Sequence, residues 1–386
     1  MFYRIRTRPV RGSRNIWWMG TLNITGSGRA ASCYFRTTVG DGSRKALVQI
    51  DERCNLHCVH CFVSATRQGA TMAYDDITGA VIPRLAQARV ERVTLTGGEP
   101  TIHPRFLDVV RAFRSAGMGV GVCTNATTLN EAAIAELTGI GGVHVNVSLD
   151  GFAPESHGMF RGDRDSFHMT IATTRSLARA GILQGLLCTP NSLAQDEEYR
   201  QLCEFAIECG AEYVLMNPLG SMGRGVKSRR KLAATDDRMA HIHDLTAPFA
   251  GAGLDVVHIR FPNTASLPLA GCEAGTIIYV FARGETTVCP YLVFAAKTPQ
   301  SQHNPAEFIV GNILTDPDIA DRLDTYPAAR LQMGTNSTCA SCGVADACGK
   351  GCPAAVVAAG QRIGAVDAEV CPVTTEGRRL LPLTVA

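Results

Sequence analysis

The sequence predicts an α/β protein with two unequal parts: an open, partial barrel of six βα units and a smaller cysteine-rich domain behind it. Short apolar runs alternate with helix-like segments from residue 46 to about residue 220, and such an alternation indicates a parallel sheet. Six units are too few for a closed eight-stranded barrel. Beyond residue 270 the strands become short, Gly and Pro are frequent and cysteines crowd together. This texture is typical of a domain that relies on metal rather than on a large core.

The composition narrows the class of protein. The chain has 386 residues, of which 46% are hydrophobic and 19% charged, as in an ordinary globular protein. Its 37 basic and 35 acidic residues give a net charge of +2, so no strong field favours nucleic acid. No run approaches the length of about 18 apolar residues that a membrane span needs, and the basic start MFYRIRTRPVRGSRN lacks the apolar region of a signal peptide. We therefore expect a cytoplasmic protein that binds neither nucleic acid nor membrane.

Four regions follow one another along the chain. Residues 1–45 hold alternating stretches such as FYRIRT and predict a β-rich N-terminal extension. Residues 46–235 make up the predicted barrel, with a basic loop, SMGRGVKSRRK, behind the sixth strand. Residues 236–270 are interpreted as a linker with a helical bridge, and residues 271–386 as the cysteine-rich domain. The six predicted strands are KALVQI, RVTLTGG, GVGVCTN, VHVNVSLDG, QGLLCTPN and EYVLMNP.

Three cysteines stand in a C-x3-C-x2-C arrangement just behind the first predicted strand, in DERCNLHCVHCF. A barrel of βα units carries its functional residues at this end of the strands. A structural zinc site takes four protein ligands, whereas three thiolates on a [4Fe–4S] cluster leave one iron open to a small molecule. The spacing therefore favours an iron–sulfur cluster with an open iron over zinc.

The segment CNLHCVHC, with Phe62 directly after it, resembles the signature of the radical S-adenosylmethionine (SAM) superfamily. The resemblance implies that Cys54, Cys58 and Cys61 hold the cluster and that its open iron binds SAM. Reduction would cleave SAM to methionine and a 5′-deoxyadenosyl radical, which abstracts a hydrogen atom from an unactivated C–H bond. An external one-electron reductase of the flavodoxin or ferredoxin type is implied as a partner.

Later strand ends resemble the same family, so that the resemblance spans roughly residues 46–225. The GGEP motif behind the second strand implies a backbone that meets the amino group of SAM, and its glycines permit close approach. CTNAT, VSLDG and FRGDRDSF resemble three further segments, near the ribose and the carboxylate of the cofactor. The implied cofactor contacts are Gly97, Gly98, Glu99, Pro100, Asn125, Ser148, Asp150 and Arg161.

A second cysteine array fills the C-terminal part and resembles the SPASM extension of many radical SAM enzymes. The order of its cysteines implies two auxiliary [4Fe–4S] clusters, and hence three clusters in all. The outer one would take Cys339, Cys342, Cys348 and Cys371, and the inner one Cys272, Cys289 and Cys352. Some relatives carry one more cysteine a few residues before the first, but here that stretch reads NTASLPLAG. The fourth inner position is left to a non-cysteine residue, to water or to the substrate.

The remaining five cysteines are scattered, and a scattered cysteine is usually a small buried hydrophobe. One of them, Cys188, ends the fifth predicted strand and is our candidate hydrogen donor, because a thiol has a weak S–H bond. The five are Cys33, Cys123, Cys188, Cys203 and Cys209.

Three functions are consistent with these patterns. The one we favour from sequence is an oxidoreductase or epimerase that acts on a carbohydrate or cyclitol intermediate of natural-product (antibiotic) biosynthesis. The alternative is a maturase of a ribosomally made peptide, which would form a thioether, a crosslink or an epimerised residue. Many such maturases carry an N-terminal leader-binding domain, for which the 45 residues of the extension are too few. The third and most remote function is that of a non-catalytic metal-binding module.

Overall fold

The computed structural model describes residues 28–34, 39 and 42–373. Most of the predicted N-terminal extension, 1–45, lies outside the described residues. The rest folds around one sheet of ten strands, in the spatial order β10-β9-β8-β1-β2-β3-β4-β5-β6-β7. The strands are β1 (Arg44–Asp51), β2 (Val90–Gly97), β3 (Gly119–Thr124), β4 (Val143–Ser148), β5 (Leu183–Cys188), β6 (Tyr213–Met216), β7 (Asp255–His258), β8 (Ile277–Val280), β9 (Glu285–Thr287) and β10 (Ile309–Asn312).

Helices connect the parallel strands, as the alternating sequence predicts. The first crossover is one continuous helical stretch that contains a π-helical segment (Ile77–Val81). Short 3-10 helices lie at Pro100–Ile102, Ala247–Ala252, Pro305–Phe308 and Ala328–Leu331, and a second π-helical turn at Pro154–Gly158. The α-helices are α1 (Tyr74–Asp76), α2 (Ile82–Gln87), α3 (Phe106–Ser115), α4 (Glu131–Ile140), α5 (Met159–Arg161), α6 (Ser166–Arg179), α7 (Asp196–Glu208), α8 (Gly225–Leu232), α9 (Asp236–Thr246), α10 (Pro290–Ala296), α11 (Ile319–Asp324), α12 (Ser337–Ala340) and α13 (Pro353–Ala358).

The two faces of the sheet differ in chemistry because side chains alternate along each strand. On β2, Val93 and Leu95 are buried in the hydrophobic core that packs against the helices. Thr94 and Thr96 instead line a cavity on the inner face. Lys45 of β1 and Tyr213 of β6 line the same cavity, so the sheet curves round it. The predicted α/β architecture with a partial barrel is confirmed.

The sheet crosses two of the predicted region boundaries. The region 236–270, interpreted as a linker, contributes β7, which pairs in parallel with β6. β8, placed by sequence in the cysteine-rich domain, pairs in parallel with β1, and β9 and β10 follow it in antiparallel pairs. The barrel sheet therefore contains eight parallel strands rather than six. The two strands that the sequence did not predict as part of the barrel are β7 and β8. Neither is followed by a helix that leads to the next parallel strand, so the alternation of strands and helices did not reveal them.

The basic segment behind β6 is a helix and not the loop predicted from sequence. Helix α8 spans Gly225–Leu232, because its Lys, Arg and Leu residues are good helix formers. Within the part of the chain that the structure describes, no helix has the length and apolar character to cross a bilayer.

Candidate active site

One cavity of about 330 Å³ lies inside the curved sheet, where the parallel strands end. Its wall combines inward-facing residues of the strands with the cysteine loop behind β1 and the turn behind β6. Of the residues predicted from sequence to bind SAM or the first cluster, only Pro100 lies outside this wall, at the buried start of a 3-10 helix. The predicted residues in the wall are Cys54, Cys58, Cys61, Gly97, Gly98, Glu99, Asn125, Ser148, Asp150, Arg161 and Cys188.

The three cysteines of the loop line the cavity; Cys54 is 7% and Cys58 is 8% exposed, whereas Cys61 is half-buried. The turn behind β6 holds this loop. Arg224 donates hydrogen bonds to the carbonyl oxygens of Cys58 (2.7 Å) and Ala65 (2.6 Å), and its backbone N–H donates to that of Cys61 (3.0 Å). The loop is therefore positioned by a residue that lies more than 150 positions away in sequence.

Burial disfavours the charged form of two of these thiols. Burial raises the pKa of Cys54 to about 12 and also raises the pKa of Cys58. Such thiols remain protonated at neutral pH unless a cation stabilises the thiolate, and iron does so. The set of three thiol donors in one wall suits an iron–sulfur cluster with one open iron.

The two glycines of GGEP bring the end of β2 onto the backbone just before Cys54. Gly98 N–H donates to Asp51 O (2.8 Å) and Glu99 N–H donates to Arg53 O (2.9 Å). A Cβ at Gly98 would overlap the carbonyl oxygen of Arg53, and Gly97 has φ +143°, which favours glycine. These glycines therefore allow the end of β2 to lie close against the cysteine loop. This role is separate from any contact with a cofactor.

Glu99 is tied to the end of β3. Its carboxylate accepts hydrogen bonds from the Thr101 backbone (3.1 Å) and hydroxyl (2.6 Å), from the Thr124 hydroxyl (2.7 Å) and from the Asn125 backbone (2.8 Å). Burial raises the pKa of Glu99, and these four donors stabilise the charged form in return. The Asn125 amide donates to Asn55 (2.9 Å), which connects the strand end to the cysteine loop.

A buried ion pair lies on the β4 side of the cavity. Arg161 Nε donates to Asp150 (2.6 Å), and Arg161 Nη1 lies 3.9 Å from the sulfur of Cys58. Asp150 also accepts from the Thr189 backbone (2.8 Å). Burial alone would raise the pKa of Asp150, but the charge of Arg161 holds it below its usual value. Ser148 lies at the end of β4 in the same wall.

Cys188, the candidate hydrogen donor, ends β5 and is 2% exposed, with its side chain in the cavity wall. Burial raises the pKa of its thiol, so it is protonated at neutral pH. Cys123 also lines the cavity, on β3. Cys203 is fully buried on α7 and lies outside the wall.

The second cysteine array lines two further small chambers, each of about 20 Å³. Cys339, Cys342, Cys348 and Cys371 line one of them, the outer chamber, as the sequence resemblance groups them. Cys272, Cys289 and Cys352 line the other, the inner chamber. A residue missed by sequence reasoning, Cys33, joins the inner chamber. No spacing pattern connects Cys33 to the others, since more than 230 residues separate it from the nearest of them.

The basic segment has two parts with different surroundings. Arg224 is bound to the cysteine loop, and Arg229 pairs with Glu369 (2.8 Å). Lys227, Arg230 and Lys231 are exposed on α8. These three exposed residues present basic charge at the surface of α8.

Comparisons with known proteins agree with this geometry. Residues 48–205 match the family profile described as Radical SAM superfamily. The chain is 28% identical over 328 residues to the mycofactocin maturase MftC of Mycobacterium ulcerans (strain Agy99), covering 82% of this chain and 84% of that protein.

Two further proteins are similar over less sequence or with lower identity. The sporulation killing factor maturation protein SkfB of Bacillus subtilis (strain 168) is 26% identical over 244 residues, which cover 63% of this chain and 59% of that one. The crystal structure of Streptococcus suis SuiB bound to precursor peptide SuiA superposes with a TM-score of 0.66 at 16% identity, covering 82% and 73% of the two chains. This last likeness concerns the fold.

Proposed function

We propose that this chain, which belongs to the radical SAM superfamily in its SPASM-domain subgroup, matures a ribosomally made peptide. The observation that carries the proposal is the likeness to a mycofactocin maturase over 82% of this chain. That stretch is much longer than the match to the barrel, which ends at residue 205, so it extends well into the second half of the chain. A second protein with a maturation role, SkfB, supports the same conclusion.

This proposal reverses the order of preference drawn from sequence. There, we ranked a carbohydrate or cyclitol substrate first, because we expected no leader-binding domain in the region 1–45. The relatives support the peptide instead, and a leader can be bound by a separate protein. The exposed basic residues of α8, Lys227, Arg230 and Lys231, are the place on the described surface where an acidic leader would be attracted.

In this proposal Cys54, Cys58 and Cys61, which line the cavity, would hold a [4Fe–4S] cluster. When bound, the cluster and SAM together supply a 5′-deoxyadenosyl radical that abstracts a hydrogen atom from the peptide. An external one-electron reductase of the flavodoxin or ferredoxin type provides the electron. The buried thiols require the charge of the iron to ionise, since burial raises the pKa of Cys54 to about 12.

The chain's own residues orient the cofactor and exclude water. Asp150 is a positioning residue, because its carboxylate is bound by Arg161 and by the Thr189 backbone. It aims Arg161, whose other end lies near Cys58, toward the carboxylate of SAM. The backbone of Gly97 and Gly98 would contact the amino group of SAM, and Ser148 would contact its ribose.

Other predicted contacts act through the loop. The carboxylate of Glu99 accepts hydrogen bonds from groups of its own chain. Glu99 therefore shapes the site by joining the ends of β2 and β3. Asn125 does the same through its bond to Asn55 (2.9 Å). Pro100 fixes the turn behind Glu99 at the start of its 3-10 helix.

Two auxiliary [4Fe–4S] clusters complete the proposal. The outer one is held by Cys339, Cys342, Cys348 and Cys371, which line one chamber. Cys272, Cys289 and Cys352 provide three ligands of the inner one. Three residues, Tyr34, Ile277 and Tyr291, line both the inner chamber and the large cavity, which supports a role for the inner cluster in electron exchange with the substrate.

The test is release of 5′-deoxyadenosine by the anaerobic, reduced and iron-reconstituted chain. We would add the small-molecule and the peptide fraction of an extract of the source organism, the latter with and without protease treatment. Stimulation by the peptide fraction that protease abolishes is the expected result. Stimulation by the small-molecule fraction alone would overturn the proposal in favour of the carbohydrate enzyme.

Two variants serve as controls. Cys61→Ala should abolish the release, because it removes one of the three thiols of the first site. Cys209→Ala, at the C-terminal end of α7 and outside the cavity wall, should behave like the parent. Stoichiometric zinc in place of iron and sulfide would contradict the cluster assignment itself.

A further inference from the structure

The inner chamber contains a fourth thiol, that of Cys33. Residues 28–34 lie alongside the segment that leads to Cys272. Ala30 N–H donates to Pro268 O (2.8 Å) and Ala270 N–H donates to Ala30 O (2.9 Å). The Ser32 hydroxyl donates to Ala270 O (2.8 Å). These three bonds fix the position of Cys33 relative to Cys272.

The sulfur of Cys33 faces the other inner cysteines. It lies 3.1 Å from the carbonyl oxygen of Gly271, the residue before Cys272, and 4.0 Å from that of Gly351, the residue before Cys352. Cys33 is 6% exposed and Cys352 is 5% exposed. The chamber is therefore lined by four cysteines that come from four separate parts of the chain.

A buried charge network holds the same arrangement from behind. Arg260 Nη1 donates to Ser32 O (3.0 Å) and to the carboxylate of Asp367 (2.7 Å). Asp367 in turn accepts from the backbone N–H of Cys352 (2.9 Å). Through Asp367, Arg260 thus connects the segment before Cys33 with the backbone of Cys352, a predicted ligand of the inner cluster. Arg260 itself is buried, with 5% exposure.

The donor set of the inner chamber consists of four thiols. A [4Fe–4S] cluster takes four thiolates, one on each iron, so its ligands are spread around a volume instead of meeting at a point. Four thiols around one chamber match that requirement.

We propose that Cys33 is the fourth ligand of the inner auxiliary cluster and closes that cluster to the substrate. The inference rests on the auxiliary clusters of the proposed function and replaces the three alternatives left open by the sequence. The next residue, Tyr34, supports the closure, because its ring stacks on Tyr291 at 4.5 Å between centroids. Both rings stand in the wall that the inner chamber and the large cavity share.

The experiment uses the full chain with Cys54, Cys58 and Cys61 replaced by Ala, so that the first cluster and its open iron are absent. This parent is reconstituted anaerobically with ⁵⁷Fe and sulfide and is compared with the same chain carrying Cys33→Ala, Cys33→Ser or Cys203→Ala. Cys203 is the matched control, a fully buried cysteine outside both chambers. Iron and sulfide per chain, Mössbauer spectra and the binding of ¹³C-cyanide to reduced clusters are measured.

The parent should bind about eight irons in two [4Fe–4S] clusters and no cyanide. Cys33→Ala should open one iron per chain, seen as new coupling to ¹³C-cyanide or as loss of one iron to a [3Fe–4S] form. Cys33→Ser, which keeps an oxygen ligand and guards against a folding defect, should retain four inner irons with a shifted reduction potential. Cys203→Ala should match the parent.

Three results would overturn the inference. They are a Cys33→Ala chain with unchanged spectra and no cyanide binding, a parent that already binds cyanide at the inner cluster, and zinc instead of iron at the inner site. A parent that binds far fewer than eight irons would instead refute the auxiliary clusters of the proposed function. The measurement uses neither SAM nor peptide, so it is independent of the choice of substrate.

Discussion

Replacing Gly98 by Ala tests whether the end of β2 holds the cysteine loop. A Cβ at this position would overlap the carbonyl oxygen of Arg53, and it would lie 2.5 Å from the Arg53 carbonyl carbon and 2.7 Å from the Glu52 carbonyl oxygen. All three atoms belong to backbone, which cannot rotate away as a flexible side chain does. The loop before Cys54 must therefore move.

The expected cost follows from the contacts that are lost. Overpacking of a tight site costs about 1–3 kcal/mol. The displaced loop also loses the two backbone hydrogen bonds that Gly98 and Glu99 donate to Asp51 and Arg53, at about 1 kcal/mol each. We expect Gly98→Ala to lower the free energy of unfolding by about 3–5 kcal/mol.

The assay is urea unfolding of the reduced, metal-free chain, followed by iron analysis after reconstitution. The matched control is Gly139→Ala on α4, where a Cβ meets no atom within 4 Å, and where we expect a change of no more than about 1 kcal/mol. Gly98→Ala should also lose about four irons per chain, those of the first cluster. Equal stability of the two variants, with full iron in both, would refute the reasoning.

Three further predictions concern the cavity wall and its surroundings. Asp150→Ala should lower the free energy of unfolding by about 3–5 kcal/mol, because it leaves the buried charge of Arg161 without its partner; a urea midpoint like that of the parent would contradict this. Burial, together with the charge of Arg161, lowers the pKa of His157 to about 3, so the unfolded chain binds a proton at a higher pH than the folded one. Stability should therefore fall as the pH drops below about 6.5, by about 2 kcal/mol at pH 5, and His157→Gln should remove that part of the slope in unfolding curves recorded across this range. Cys188→Ala should keep 5′-deoxyadenosine release but lose or divert the product seen by mass spectrometry, whereas Cys203→Ala should change neither; an unchanged product would exclude Cys188 as the donor.

Local patterns in the sequence were sufficient for most of the barrel. The six apolar runs became β1 to β6, because each is a buried strand bounded by small or polar residues. The cavity wall also followed from sequence, since residues such as Cys54, Gly98 and Asp150 stand at strand ends, which meet at one edge of a parallel sheet. What local patterns could not provide is pairing between distant segments. The pairing of β8 with β1 joins residues 45–48 to 277–280, and no periodicity along the chain encodes it.

Cys33 shows that local sequence patterns also miss site residues that only contacts between distant segments bring together. A cysteine outside any spaced motif reads as a packed hydrophobe, and its low exposure agrees with that interpretation as well as with ligation. Contacts between distant segments, such as the backbone bonds between residue 30 and residues 268–270, bring it to the inner chamber. At Glu99 the structure adds what the motif did not show, since its carboxylate is bound by its own chain, and its contact with the cofactor stays a prediction.

The count of thiols at each site separates two kinds of chemistry in one chain. The loop behind β1 offers three cysteines to the large cavity, and a four-iron cluster on three thiolates keeps one iron for an external ligand. The inner chamber offers four when Cys33 is included, and a cluster with four thiolates has no position left for a substrate atom. Such a cluster can exchange electrons but cannot bind the peptide. The stacked rings of Tyr34 and Tyr291, placed between the inner chamber and the cavity, are compatible with that division, because an electron can cross two aromatic rings whereas a peptide side chain cannot.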